Sequence, residues 1–271
     1  MKDKRVLYVS SEVIPYLPET EISSMSFEAP KMVNNNNGQI RIFMPRYGNI
    51  NERRHQLHEV IRLSGMNLVI NDLDMPLIIK VASIPKERMQ VYFIDNEDYF
   101  KRKATYADED GNFFADNDER AIFFAKGVIE TVKKLNWSPD IIHVHGWLAS
   151  FLPLYLRNYY GNEPLFENSK IVTSVYNQGF TDTLNKDVFD KIMFDAIDEA
   201  AVAELKNPDY VNVMKVALNN SDAVIVGSED IPTELLDFIN TLDKPVLKYH
   251  NKEDIEQGYL DFYRSEVLEE A

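Results

Sequence analysis

Residues 143–147, His-Val-His-Gly-Trp, set two imidazoles and an indole where an apolar run gives way to a glycine. Side chains two apart on a strand share a face, so His143 and His145 are spaced as a pair of metal ligands would be. No third ligand accompanies them, and two structural histidines satisfy the same pattern, so neither a metal nor a cofactor is expected. Trp147, at a helix start, either packs inward or offers its face to a sugar ring. Two more segments have the same character: Ser-Glu-Val-Ile-Pro (11–15) after the first apolar run, and Tyr-Asn-Gln-Gly-Phe (176–180) after a later one. The Glu12 carboxylate either caps a neighbouring helix or reaches a ligand. The acidic run at 108–119 has calcium-like spacing but lacks the glutamate that closes such a loop, and reads as a solvated loop and cap.

All three segments follow β-branched runs, and those runs alternate with stretches of helical period. That alternation predicts an α/β fold, a single Rossmann-like domain whose mostly parallel sheet has helices on both faces. The strands are expected at 5–11, 39–45, 139–145, 170–176 and 222–228. Ser-Phe-Glu-Ala-Pro-Lys-Met-Val reads as a helix stopped at the asparagine run, with Asn37 and Gly38 in left-handed geometry. A helix is expected through 115–136 with Ala121, Phe124, Ala125, Val128, Val132 and Leu135 on one face and an Asp116–Glu119 capping box. Residues 146–160 read as one mostly buried helix, and 210–220 as another. Between about 57 and 95 the apolar runs are too closely spaced for crossover helices, which predicts an inserted β-hairpin or meander. Residues 1–245 are taken as the Rossmann-like domain and 246–271 as an acidic C-terminal helix, with Ile255, Tyr259, Phe262 and Val267 packed on it. In such sheets ligands bind beyond the carboxyl ends of the strands, which singles out the loops carrying Glu12, His145 and Tyr176.

Composition narrows the function classes. The 271 residues carry 44 acidic against 29 basic side chains, a formal charge of −15, which argues against nucleic acid or an anionic membrane as partner. The absence of cysteine excludes disulfides and thiolate metal sites. The amino-terminal apolar stretch is too short for a signal peptide or a membrane span, so a soluble, cytoplasmic protein is expected.

Taken together, "VLYVSSEVIP" at the start, "IFMPRYG" (42–48), "VYFIDNEDYFKR" (91–102), "DNDERAIFFAKGVIE" (116–130), "PDIIHVHGW" (139–147) and "VMKVALNNSDAVIVGS" (213–228) resemble the N-terminal catalytic domain of the bacterial glycogen and plant starch synthases. These are glycosyltransferases of the two-domain glycosyltransferase-B type. The resemblance runs in order over roughly residues 4 to 240 and stops short of the second domain. It implies glucosyl transfer from ADP-glucose or UDP-glucose to an α-1,4-glucan, in a cleft where the second domain supplies most of the nucleotide pocket.

The departures fall on the three loops. Where the family has Lys-x-Gly-Gly-Leu, a phosphate cradle, this chain has Pro18, Glu19, Thr20, Glu21 and Ile22. Proline lacks an N–H, and a carboxylate 4 Å from a phosphate oxygen costs about 1 kcal/mol in water and about 4 at an effective dielectric of 20. Where the family has His-Asp-Trp-His, the residues are His145, Gly146, Trp147 and Leu148. Where its His-Asn pair contacts the transferred glucose, Tyr176 replaces the histidine and Asn177 and Gly179 are kept. The substrate-binding candidates are therefore Glu12, His145, Trp147, Tyr176, Asn177 and Gly179. Three functions remain open: a glycosyltransferase completed by another chain, a non-catalytic descendant that binds α-glucan, sugar nucleotide or a protein, and a structural subunit of a homo-oligomer covering the face of the missing domain.

Overall fold

The computed structural model describes residues 1–250 and 255–269. Ten strands are formed among the described residues, β1 (Arg5–Ser10), β2 (Gln39–Pro45), β3 (His58–Glu59), β4 (Met66–Ile70), β5 (Leu73–Ile84), β6 (Met89–Asp95), β7 (Ile141–His145), β8 (Lys170–Val175), β9 (Ala223–Val226) and β10 (Val246–Leu247). The helices among the described residues are α1 (Glu21–Asn35), α2 (Glu52–His55), α3 (Glu97–Phe100), α4 (Asn117–Leu135), α5 (Phe151–Asn158), α6 (Val188–Phe194), α7 (Tyr210–Asn219), α8 (Thr233–Thr241) and α9 (Ile255–Asp261).

The sheet order is β10-β9-β8-β7-β1-β2-β6-β5-β3, with β4 also paired to β5. The strands from β10 to β6 run parallel, and β5 pairs antiparallel with β6, β3 and β4. The meander expected at 57–95 is present, but its last strand, β6, is a member of the parallel core beside β2. From β1 the chain moves outward to β2 and β6, then returns to β7 on the other side of β1. Right-handed crossovers taken in opposite directions put their helices on opposite faces. The reversal also makes β1 and β7 the topological switch point, with Ser10 in register with His145.

One face carries Tyr8, Ser10, His143 and His145 under α1: the Tyr8 hydroxyl donates to Ala29 O at 3.2 Å and Ser10 meets Ser26 Oγ at 2.6 Å. The C-terminal segment completes this layer. Beyond α9 a π-helical turn, Phe262–Val267, brings the Tyr263 hydroxyl to 2.5 Å from His143 Nδ1. Tyr259, Phe262 and Val267 are buried as the spacing suggests, together with Leu260 and Tyr263, while Ile255 is half-buried. Residues 246–247, assigned from sequence to this helical tail, form the edge strand β10 instead, and 251–254 and 270–271 lie outside the described residues.

Several local expectations are corrected. Helix α1 begins at Glu21, well before the predicted start, because Thr20 and Ser23 form a reciprocal capping box. At its other end Asn37 is left-handed (φ 61°), but Gly38 is not; a Cβ there would lie 2.4 Å from Val33 Cγ1, so glycine serves close approach. The Asp116–Glu119 box is not made. The Asp116 carboxylate takes two hydrogen bonds from Arg102, at 2.9 and 2.6 Å, and Glu119 bonds Tyr99 and Lys191. An ion pair available to a side chain outcompetes a single backbone cap of about 1 kcal/mol. The expected helix at 146–160 is split into a 3₁₀ turn, Trp147–Ala149, and α5. Pro153 lies in the first turn of α5, where its missing N–H costs no intrahelical hydrogen bond.

Candidate active cleft

At the switch point the chain leaves β7 through Gly146, with φ 81° and ψ 155°, a conformation open essentially to glycine alone. A Cβ there would lie 1.9 Å from Ser11 Oγ. The carboxyl end of β1 and that of β7 are thus in direct backbone contact, with Ser11 N–H donating to His145 O at 2.9 Å. The turn at Gly146 therefore leaves no room for a side chain beside Ser11.

His145 is fully buried. Its Nδ1 lies 2.7 Å from the Tyr176 hydroxyl, and Nε2 has no partner among the described residues. Burial holds the imidazole far below its ordinary value, at about 3, and burial followed by repulsion from His145 does the same to His143. Both rings are neutral at pH 7. Burial also pushes the Tyr176 phenol well above 10, so this cluster holds no charge with which to bind an anion or polarise a leaving group. His143 is held between Tyr263 and Ser174 Oγ (2.7 Å), and its ring centroid lies 3.9 Å from that of His145. The pair is tied into hydrogen bonds with hydroxyls on both sides, as structural histidines are.

The space for the Tyr176 ring is made by Gly227, where a Cβ would lie 2.4 Å from Tyr176 Cε1. From the other side the Tyr210 hydroxyl donates to Tyr176 O at 2.6 Å, and the Tyr210 ring lies where a Cβ on Gly179 would be, 2.5 Å from it.

Next to this cluster begins α1, whose free N–H groups could face an anion. Three of the first four are already used: Thr20 N–H donates to Ser23 Oγ (2.8 Å), Ile22 N–H to Gln178 Oε1 (3.2 Å) and Ser23 N–H to Thr20 Oγ1 (3.0 Å). The Glu21 carboxylate sits on the same turn and accepts the Ser228 hydroxyl, while Ser228 Oγ accepts Asn177 N–H at 2.9 Å. Glu12 is buried behind them, its two oxygens accepting from Thr20 Oγ1 (2.8 Å) and the Tyr106 hydroxyl (3.0 Å).

Trp147 is 2% exposed and enclosed by Tyr106, Phe113 and Phe180 at centroid distances of 4.9, 5.6 and 5.0 Å. Its faces are not open to a sugar.

Comparison with known proteins gives this closed cleft its context. The family model for the starch synthase catalytic domain matches residues 5–244. The chain belongs to that family. Its relatives include the glycogen synthases of Chlorobium luteolum, 34% identical over 87% of this chain and 48% of theirs, and of Chlorobium limicola, 35% identical over 86% and 47%. The chain therefore spans about half the length of these relatives. Among solved structures, the catalytic domain of starch synthase IV from Arabidopsis thaliana bound to ADP and acarbose superposes with a TM-score of 0.73. It is 16% identical and covers 92% of this chain and 52% of that one, so the fold is shared.

Against the starch synthase family, the six candidate residues divide in two. Glu12, His145, Trp147 and Tyr176 come together at the carboxyl ends of β1, β7 and β8, but as a packed, internally bonded group. Asn177 and Gly179 are exposed at its rim. Sequence reasoning missed Gln178, Ser228 and Tyr106, which close the cleft. Ser228 follows β9 as the other candidates follow β1, β7 and β8, so a fourth strand-end loop would have revealed it. Among the described residues no group of three or more metal-ligating side chains converges, and no helix is long and apolar enough to cross a membrane.

Proposed function

We propose that this chain is a starch-synthase-type domain that does not transfer glucose and whose remaining activity is to bind α-glucan. The observation that carries the first half is the occupied start of α1: the Gln178 amide oxygen on Ile22 N–H, and the Glu21 carboxylate held by Ser228 where a diphosphate would need positive charge. The groove alongside α1 supports it, lined by Glu19, Glu21, Glu28 and Glu256 against Lys31, which is paired with Glu87 at 3.1 Å. A sugar nucleotide brings two further negative charges into that field, and each carboxylate near 4 Å opposes it by about 1 to 4 kcal/mol.

The second half rests on family membership and on the uncharged chemistry of glucan, which the acidic surface does not repel. The test is a pair of titrations with a transfer assay. Purified protein is expected to show no binding of ADP-glucose or UDP-glucose, no incorporation of labelled glucose into glycogen, and saturable binding of malto-oligosaccharide. Labelled glucose entering glycogen would sink the non-catalytic reading; silence with malto-oligosaccharide would sink the glucan reading.

A further inference from the structure

The groove alongside α1 has a volume of about 580 Å³ and follows that helix from Glu21 to Asn35. Glu21, Met25, Glu28, Met32 and Asn35 line it at alternate spacings of four and three residues, so they form one line down the helix. Carboxylate and thioether alternate along that line. The facing wall carries Tyr249, 38% exposed, with Ile255 half-buried and Glu256 exposed beyond it. We infer that this groove docks a basic helix of another protein, one whose contact face alternates lysine or arginine with apolar side chains. The inference is independent of the glucan reading.

Charge fixes the sign of the occupant. Glu19, Glu21, Glu28 and Glu256 form no ion pair with a described residue; Glu21 has the Ser228 hydroxyl and Glu256 the Asn36 amide at 3.4 Å. Lys31, on the same stretch of helix, is already held by Glu87 at 3.1 Å. Unneutralised carboxylates on the walls of a partly apolar groove attract a cationic partner and set its orientation. A second copy of this chain, with its formal charge of −15, brings the wrong sign, so the occupant is a different protein.

Spacing fixes its form. Glu21 and Glu28 are seven residues apart, about 10.5 Å along the helix axis. A second helix lying along α1 repeats at the same distance, so its cations at i and i+7 both face carboxylates while the apolar residues between them meet Met25 and Met32. An extended strand, advancing about 3.3 Å per residue, covers that distance in about three residues and turns the second side chain to the opposite face. Methionine is unbranched and adapts to the apolar side chains it meets. The opposite side of α1 is anchored to the sheet by Tyr8 on Ala29 O and Ser10 on Ser26, so this wall stands before a partner arrives and no ordering cost is added to docking.

The experiment is a fluorescence-anisotropy titration of the full chain with a labelled helical peptide about as long as α1, carrying lysine and leucine alternately at four- and three-residue spacing down one face and alanine and glutamine elsewhere. The same peptide with glutamate for lysine is the control. Saturable binding of the lysine peptide alone is expected. Glu28→Lys is expected to weaken it about tenfold, and Asp72→Lys, the same charge reversal at an exposed carboxylate of the β4–β5 turn, by less than about twofold. Both side chains are exposed, so both variants are expected to keep the wild-type melting temperature. Met25→Ala, which leaves every charge in place, is expected to weaken binding about fivefold. No saturable binding of the lysine peptide, equal binding of the glutamate peptide, or unchanged affinity in Met25→Ala would each overturn the assignment. Equal weakening by Glu28→Lys and Asp72→Lys would also overturn it, because only attraction to the net charge would then remain.

Discussion

Lowering the pH from 7 to 5 withdraws stability from this protein through two particular side chains. His143 and His145 are buried and neutral in the folded state, with His145 at about 3, against about 6.5 in an unfolded chain. Below pH 6.5 the unfolded chain binds protons that the native one refuses. The number bound by the unfolded state exceeds that of the native state, and stability must fall as pH falls. Integrating between pH 7 and 5 gives a loss of about 2 kcal/mol for His145, and His143 adds to it in the same direction. For a domain whose total stability is of order 5–15 kcal/mol this is a large fraction. The groups packed around the two rings are hydroxyls, those of Tyr8, Tyr176, Tyr263 and Ser174, and no carboxylate contacts either ring to hold a proton there. Carboxylates elsewhere add their own pH dependence, so the measurement is a difference. Urea unfolding of the wild type and of His145→Gln at pH 7, 6 and 5 isolates one histidine. The variant is less stable at pH 7, because the Tyr176 hydroxyl loses its partner. Its stability is nevertheless expected to fall less steeply, by about 1.2 kcal/mol between pH 6 and 5. Parallel stability curves for the two proteins over that interval would refute the burial of a neutral His145.

Restoring the family's aspartate at Gly146 is expected to destabilise the fold by about 2–4 kcal/mol, because φ 81° and ψ 155° strain any other residue and a Cβ would meet Ser11 Oγ at 1.9 Å. Thermal or urea unfolding of Gly146→Asp reads this directly, and a change within about 0.5 kcal/mol would show that the backbone relaxes. Gly227→Ala is expected to lose about 1–3 kcal/mol by collision with the Tyr176 ring at 2.4 Å. In a double-mutant cycle with Tyr176→His the loss should shrink by at least about 1 kcal/mol, and strict additivity would contradict the proposed dependence of one residue on the other.

Much of the fold was legible because its signals are local. The run at 141–145, bounded by Pro139 and Gly146, forms a buried strand, and the spacing of Ala121, Phe124, Ala125 and Val128 marks a helix, though Ile122, Phe123 and Ile129 are buried as well, so α4 is enclosed beyond the one face expected. The capping error at Asp116 has the opposite cause. The local pattern is correct, but Arg102, 14 residues away, offers the carboxylate a stronger partner. The site was legible in its residues and illegible in its state. Nothing near Glu21 announces Ser228, 207 positions later, and Gly146 read as a lost carboxylate until its dihedral angles showed that the turn admits no side chain. Thr20-x-x-Ser23 has the spacing of a reciprocal cap, but serine is not the usual partner at the third helical position, so Pro18 and the flanking glutamates mask the signal.

The three departures from the family's motifs are therefore not independent losses. Tyr176 needs Gly227 for its ring and His145 for its hydroxyl. Gly146 lets β7 turn against Ser11, and Glu21 is held by the Ser228 that also fixes Asn177, next to Tyr176. Each replacement is matched by a partner from a different strand-end loop, so these residues pack as one group with most of their hydrogen bonds made. Unpaired buried groups remain in this region, namely His145 Nε2, Ser150 Oγ and the hydroxyl of Tyr47, whose ring packs on Tyr106, and each is costly in a packed interior. It follows that reverting any one motif residue lowers stability without reopening the cleft. On the proposed reading, nucleotide binding is gained only when Glu21 and Gln178 are removed from the start of α1 together with room at Tyr176, and the stability lost by the single reversions measures how tightly these loops are packed.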